Sequence, residues 1–147
     1  MSMVIIPDEV VKLVNNPMSS KTIATISNEG RVHTIYMGSM SALSPNILVF
    51  AHILMKRTQN NLEEMRKRGD LVSVSVTLEQ VSYEIMAKVR KYETSGPVYD
   101  TMIEVLTRMG VKESLDKYGM TVLGVWILDP MEVWNQSPGP GSGTRIV

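Results

Sequence analysis

The sequence predicts a mainly β protein of the α+β class, built as a closed antiparallel barrel of six strands with two or three flanking helices. About six segments are rich in β-branched residues, and most neighbouring segments are joined by short turns. Two or three segments have helical spacing, without the regular alternation of strands and helices that parallel sheets require. Closure is expected because it removes sheet edges that would otherwise pair with other chains.

The first half of the chain predicts one short helix, a hairpin and a buried strand. Pro7 and Asp8 precede EVVKLV, and both residue types mark the beginning of a helix, which is expected to end near Asn15. The β-rich runs KTIATIS and RVHTIYMGSM flank the turn residues SNEG, so they predict a hairpin over Lys21–Met40. Ser41–Asn46 is expected to be a turn. The run ILVFAHI follows it and has too little polar alternation for a solvent-facing strand.

The second half predicts two helices and three strands. The segment TQNNLEEMRKR is expected to form a helix from Thr58 to the residue before Gly69, because its last turn is basic and glycine suits the position after a helix. DLVSVSVTLE alternates apolar and polar residues, which predicts a strand, and QVSYEIMAKVRKYE predicts a longer one. Helical spacing covers Val98–Lys117. MTVLGVWILDPMEVW is the last predicted strand, interrupted at Asp129–Pro130.

The composition narrows the class of function. Lys and Arg together number 15, as do Asp and Glu, so no overall basic field attracts nucleic acid. The absence of cysteine excludes disulfides and cysteine-ligated metal. No window reaches the roughly 18 apolar residues of a membrane span, and a cytoplasmic location is expected. His33 and His52 have no acidic or histidine partner at ligand spacing, so no metal site is predicted.

The segment Asn46–Gly69 has the features of an anion site. Lys56 and Arg57 stand immediately before Thr58, the expected beginning of the helix. A helix begins with unpaired backbone N–H groups and a partial positive charge, so a hydroxyl and two cations placed there suit a phosphate. Arginine can hold a phosphate with two parallel hydrogen bonds, whereas lysine offers a point charge. The alternative is an ordinary capped helix preceded by solvated cations.

A glycine inside the second β-rich run is a further candidate. Gly38 interrupts RVHTIYMGSM, and a glycine within a strand marks either the close approach of a ligand or a β-bulge. A ligand placed there could pair with backbone amides and carbonyls. The sequence alone leaves both interpretations open.

The order of several segments resembles a known family. A turn ending in Gly30 is followed by RVHTIYMGS, by ILVFA, by a helix that begins K-R-T-x-x-N-L, and by R-x-G-D before an alternating V-S-V strand. This order resembles the FMN-binding split barrel of the pyridoxamine-phosphate-oxidase-like superfamily, especially its short FMN-binding proteins. The resemblance spans Met18 to Trp134 and is sharpest over Met55–Leu62.

The resemblance implies a homodimer with the flavin at the dimer interface. The phosphate would be held where the polar helix begins, and the ring and ribityl chain would lie along the second strand of the hairpin. The cofactor-binding residues implied in this way are Arg57 and Thr58 for the phosphate, Lys56 and Asn61 as helpers, and Tyr36, Met37, Gly38 and Ser39 along the ring and ribityl chain.

The chain departs from the family pattern in two places. The family's Gly-x-Pro-His appears as Gly30-Arg31-Val32-His33, with valine for proline. No basic motif matches the substrate-phosphate site of the vitamin-processing oxidases, so pyridoxamine-phosphate oxidase activity is not expected. No catalytic acid or base is predicted.

The chain is expected to be one domain whose Pro/Gly/Ser-rich residues 135–147 form a mobile tail. Alternatively, the tail covers the flavin of the partner subunit with Trp134 as anchor.

The leading hypothesis is an FMN-binding flavoprotein that acts as an oxidoreductase or electron carrier with an unspecified small-molecule or protein redox partner. Three alternatives stay open at this stage. The same barrel could bind a deazaflavin or heme. It could store flavin without turnover, or it could have lost its ligand and serve as an interaction module.

Overall fold

The computed structural model describes residues 2–147, which form four α-helices and one seven-stranded antiparallel sheet. The helices are α1 (Asp8–Val14), α2 (Lys56–Arg68), α3 (Pro97–Arg108) and α4 (Val111–Lys117), and the strands are β1 (Ser20–Ile26), β2 (Val32–Tyr36), β3 (Ser41–Ser44), β4 (Ile47–His52), β5 (Leu71–Leu78), β6 (Val81–Glu93) and β7 (Gly124–Asn135).

The strands are ordered β2-β1-β5-β6-β7-β4-β3 across the sheet. The prediction of a mainly β antiparallel fold is confirmed, but the strand count and the closure are wrong. The additional strand is β3, which has only four residues in a segment predicted to be a turn. Within residues 2–147, no ladder joins β2 to β3 at the two ends of the sheet.

The connection Met37–Met40 joins the two ends of the sheet and forms hydrogen bonds at both. The Met37 N–H donates to the Lys21 carbonyl at 2.7 Å, which extends the pairing of β1 with β2. On the other side, the Ala51 N–H donates to Ser39 Oγ at 2.9 Å. This connection therefore spans the opening between the two end strands and carries three of the predicted site residues.

The main core lies inside the curved sheet. The alternation predicted for β5 is confirmed, because Val72, Val74 and Val76 are fully buried while the residues between them are partly exposed. Phe50 of β4 is also fully buried, in agreement with the predicted buried strand. Burial of such apolar side chains is the main favourable term in folding.

Helix α2 packs across this core and begins earlier than predicted. It starts at Lys56, and the preceding Met55 makes no side-chain capping hydrogen bond. Thr58 is therefore inside the first turn and is not the N-cap. The helix includes the basic pair because Met55 is buried and fixes the chain there, without a hydroxyl cap. Its end agrees with the prediction: Gly69 has a φ of 78°, and the last turn is basic.

The helix predicted over Val98–Lys117 is divided in two. Gly110 has a φ of 76°, a left-handed conformation that glycine adopts without strain, and it separates α3 from α4. Both helices pack on the outer face of β4 and β7, where Met102, Leu106 and Leu115 form a second apolar core with strand residues. These helices therefore cover the side of the sheet opposite the main core.

The last strand and the tail also differ from the prediction. Strand β7 continues through Asp129–Pro130, where the pairing with β6 shifts by one residue. The following segment turns back onto the end of β7, and the Ile146 N–H donates to the Val133 carbonyl at 2.7 Å. Residues 135–147 are thus attached to β7 of their own chain and are not a free end.

None of the helices within residues 2–147 is long and apolar enough to cross a membrane.

Candidate functional site

An apolar cavity of about 390 Å³ lies beside the connection between β2 and β3. All four residues predicted to lie along the flavin ring and ribityl chain line it: Tyr36, Met37, Gly38 and Ser39. The opposite wall includes the segment Ile53–Met55 before α2, together with Leu106 and Met109 from the α3 region. Its volume is within the range of roughly 300–1,000 Å³ that ligand pockets occupy.

Gly38 allows the ring of Tyr36 to lie over the backbone at the cavity wall. A Cβ atom at position 38 would lie 3.1 Å from Tyr36 Cε1, which is tighter than ordinary van der Waals contact. The Tyr36 side chain is 64% exposed, so it has a flat apolar surface available at the mouth of the cavity. Gly38 lies in a turn, so it is neither inside a strand nor at a bulge of a ladder, and its role at a ligand stays a prediction.

A second, polar cavity of about 490 Å³ lies between α2 and the turn that joins β1 to β2. Arg57 and Asn61 of α2 line it, and Arg31 from the turn contributes a second guanidinium. Glu29 and Glu64 also line it. The Glu64 carboxylate accepts a hydrogen bond from Asn28 Nδ2 at 3.2 Å, which together with Lys67 lowers its pKa. Neither arginine forms an ion pair with another residue in the described part of the chain.

The other two predicted phosphate residues lie beside the polar cavity without lining it. Lys56 is exposed at the first position of α2. Thr58 is completely buried, and its hydroxyl is the only buried side-chain polar atom in residues 2–147 that has no hydrogen-bond partner. An unsatisfied buried hydroxyl costs about 1–3 kcal/mol. The first turn of α2 therefore carries an unused donor and acceptor.

Asn61 has a structural contact in addition to its place at the cavity. Its Nδ2 donates to Thr25 Oγ1 of β1 at 3.0 Å, and both side chains are buried. This hydrogen bond attaches α2 to the hairpin. The amide oxygen and the second Nδ2–H of Asn61 are left for another partner.

Six of the eight predicted site residues line one or the other of the two cavities, and both cavities are built from the same elements. Met55 lines the apolar cavity and Arg57, two residues later, lines the polar one. The hairpin contributes in the same way, with Ile35 at the apolar cavity and Arg31 at the polar one. A span of six extended residues, from position 31 to position 37, covers about 20 Å. An elongated molecule with an anionic end and an apolar end fits this arrangement.

The structure adds Lys21, which the sequence analysis did not select. It lines the apolar cavity, is 3% exposed, and its Nζ donates to the Val14 carbonyl at 3.1 Å. Burial lowers the pKa of this ammonium group. The alternation in β1 could have identified it, because Lys21 has the same parity as the buried residues Ile23 and Thr25.

The two histidines lie at different places. His33 is on the face of β2 near Arg57, and burial together with that guanidinium lowers the pKa of its imidazole. His52 Nδ1 is 2.7 Å from the Tyr92 hydroxyl, and the Tyr92 ring packs at a tilt against Trp126 with the ring centroids 4.8 Å apart. Neither histidine lines the apolar cavity. No group of three or more potential metal-ligating residues occurs within residues 2–147.

Comparison with known proteins by sequence gives no match, either to a protein-family model or to a curated protein. Comparison of structures does give matches. HupZ of Group A Streptococcus has a TM-score of 0.71 at 18% identity, over 94% of this chain and 99% of HupZ. An FMN-binding protein from Syntrophomonas wolfei subsp. wolfei has a TM-score of 0.74 at 13% identity, over 88% of this chain and 85% of its own.

HutZ, the heme storage protein of Vibrio cholerae, is also similar, with a TM-score of 0.52 at 14% identity over 91% of this chain and 97% of HutZ. At such low identities the similarity shows the fold alone. The chain has the split-barrel fold of the pyridoxamine 5'-phosphate oxidase-like proteins, which confirms the fold resemblance drawn from the sequence.

Proposed function

We propose that this protein binds FMN and acts as a flavin-dependent oxidoreductase or electron carrier. The observation that carries the proposal is the arrangement of the two cavities on either side of the beginning of α2. One is apolar and bordered by Tyr36 and Gly38, and the other contains Arg31 and Arg57 without ion-pair partners among the described residues. FMN has a flat, largely apolar ring and a phosphate at the opposite end, so its two ends match the two cavities.

The residues present fit this ligand at both ends. Guanidinium groups bind phosphate through charged hydrogen bonds. The buried Thr58 hydroxyl, which does not line the polar cavity, would gain a partner from a bound water or from a phosphate oxygen after a small shift of the first turn of α2. At the other end, the backbone N–H and carbonyl of Gly38 would pair with the polar edge of the ring, whereas the Met37 N–H and carbonyl already pair with Lys21 and Met40. Bound FMN would supply hydride or electron transfer at the ring, while the protein sets its orientation and access.

The first experiment is the visible spectrum of the purified protein, followed by mass spectrometry of any molecule released on denaturation. We expect absorption near 450 nm, either as purified or after addition of FMN. A colourless protein that gains no such absorption with FMN would refute the proposal. Consumption of NAD(P)H, with and without an added electron acceptor, then separates an oxidoreductase from a flavin-storage protein.

Heme is the alternative ligand with a specific observation in its favour, because a heme storage protein shares the fold. The described residues weigh against it, since neither histidine lines the apolar cavity and His52 Nδ1 is already paired with Tyr92. A strong absorption band near 400 nm after addition of heme, without FMN binding, would favour heme. A bound deazaflavin would be identified by its mass.

Replacing Thr58 with valine should separate ligand affinity from stability. Valine keeps the shape and removes a hydroxyl that has no hydrogen-bond partner among residues 2–147, so we expect the free energy of unfolding to stay the same or to rise by about 1 kcal/mol. FMN affinity should fall about tenfold, because a hydrogen bond to a charged group is lost. Chemical denaturation and FMN titration measure the two effects.

Thr25→Val is the matched control for the stability effect alone, because Thr25 holds Asn61, which is itself a predicted phosphate residue. Thr25 Oγ1 accepts a hydrogen bond from the buried Asn61 amide, so its loss should lower the free energy of unfolding by about 1 kcal/mol. Unchanged FMN affinity in Thr58→Val would exclude this hydroxyl from the phosphate site.

We also propose a homodimer that covers the mouth of the apolar cavity. The residues around the mouth include Tyr36 and Leu54, which are 64% and 75% exposed, and Met109, which is 42% exposed. Exposed apolar patches of this kind mark interaction sites.

Leu54→Glu should therefore change the mass measured by light scattering from twice the chain mass to 16.4 kDa. Ile5→Glu, at a residue 65% exposed that does not line the cavity, should leave the dimer intact. A natural protein that is monomeric at micromolar concentration would refute the dimer.

A further inference from the structure

Lys21 places a formal charge in the wall of the apolar cavity. It is the one charged residue among those that line this cavity, and its side chain is almost completely buried. An ammonium group has three N–H donors, and Lys21 uses one of them, to the Val14 carbonyl at 3.1 Å. No carboxylate forms an ion pair with it within residues 2–147. A buried charge normally requires a partner of opposite sign, and residues 2–147 provide none.

The position of Lys21 relates it to the predicted ring-binding segment. Its carbonyl accepts a hydrogen bond from the Met37 N–H at 2.7 Å, so its backbone pairs directly with the connection that contains Gly38 and Ser39. A ring lying along this connection would be bordered by Lys21. We therefore ask whether the ligand supplies the negative charge that would pair with Lys21.

We propose that Lys21 stabilises the negative charge of reduced FMN and so makes the bound flavin easier to reduce. The inference rests on the proposed function, because it assumes FMN in the apolar cavity. Two electrons and one proton convert the neutral oxidised ring into a reduced ring that carries one negative charge at neutral pH. In a cavity of low dielectric constant, a nearby ammonium group attracts that charge more strongly than it would in water. A charge beside the ring is one of the means by which proteins set flavin potentials.

The competing explanation is purely structural. Val14 is the last residue of α1, and a cation that donates to a terminal helix carbonyl stabilises the helix end. If this were the only role, replacement of Lys21 would change the stability of the protein but not the relative affinity for the two redox forms of the flavin. The measurement must therefore compare oxidised with reduced FMN.

The test is anaerobic titration of the FMN-loaded protein with dithionite against a reference dye, at pH 7, for the natural protein and three variants. Lys21→Met should lower the two-electron midpoint potential by at least about 30 mV, which corresponds to a tenfold loss of preference for reduced flavin. Lys21→Arg, which keeps the charge, should lie closer to the natural protein. Lys12→Met removes an equal charge from the exposed side of α1 and should leave the potential unchanged.

Equal potentials for the natural protein, Lys21→Met and Lys12→Met would overturn the inference while leaving FMN binding intact. A natural protein that does not bind FMN would instead refute the proposed function, and the inference with it. If Lys21→Met does not fold, the pKa of Lys21 can be followed in the natural protein by ¹³C NMR of its ε carbon. We expect that pKa to be higher with reduced than with oxidised FMN, and equal values would overturn the inference.

Discussion

Replacing Gly124 with alanine is expected to lower the free energy of unfolding by about 2 kcal/mol. A Cβ atom at this position would lie 2.6 Å from Tyr92 Cε1 and would also overlap the end of that ring. The ring is not free to move away, because its hydroxyl pairs with His52 Nδ1 at 2.7 Å and the ring itself packs at a tilt of 47° against Trp126. Displacing it sacrifices a hydrogen bond and an aromatic pair, each with a contribution of about 0.5–1.5 kcal/mol. Chemical denaturation of the two proteins measures the loss.

Two variants show whether the loss comes from Tyr92. In a Tyr92→Ala background the obstructing ring is absent, so the Gly124→Ala substitution should change stability by less than about 0.5 kcal/mol. Gly38→Ala is a second comparison, since its Cβ would meet the exposed ring of Tyr36 at 3.1 Å. That ring can turn into solvent, and we expect a small effect. A full 2 kcal/mol loss from Gly124→Ala in the Tyr92→Ala background would disprove the explanation.

Those parts of the fold that depend on local pattern were predictable from the sequence. The alternation of Val72, Val74 and Val76 follows from the two-residue period of a strand with one buried face. Gly69 ends α2 in the predicted left-handed conformation. Such features are determined by neighbouring residues, and no distant part of the chain is needed to specify them.

The errors lie where distant contacts decide the structure. Strand β3 has four residues and little β-propensity, and it exists because β4 pairs with it. Thr58 looked like a helix cap, but burial of Met55 begins the helix two residues earlier. Residues 135–147 have the composition of a mobile tail, yet backbone hydrogen bonds to β7 hold them. In each case tertiary pairing overrides the local preference.

The candidate site also has parts that the sequence predicts and parts that only the structure shows. The basic pair at the beginning of α2 is visible in the sequence because helix termini have a known electrostatic preference. The separation of Arg57 from Tyr36 into two cavities is not visible, because it depends on how α2 packs against β1 and β2. Lys21 was not predicted for a different reason. Its strand was predicted correctly, but a lysine is normally expected on the exposed face of a strand, whereas Lys21 faces inward.

Arg57→Ala is expected to weaken FMN binding more than tenfold in titrations at fixed salt concentration. Arg57 lines the polar cavity, is exposed, and has no ion-pair partner within residues 2–147, so its charge is available to a ligand. Loss of charged hydrogen bonds to a phosphate accounts for a change of this size. Arg57→Lys should be intermediate, because it keeps the charge but not the planar pair of donors.

Arg66→Ala is the matched control, since Arg66 is also exposed but lies in the last turn of the same helix. Nine residues of α-helix separate the two side chains by about 14 Å along the axis. The control removes the same charge, so a general electrostatic effect would weaken binding in both variants, whereas a phosphate contact would weaken it only in Arg57→Ala. Riboflavin, which lacks the phosphate, should bind the natural protein and Arg57→Ala equally. Unchanged FMN affinity in Arg57→Ala would remove this arginine from the site, and an equal loss of riboflavin affinity would place it at the ring instead.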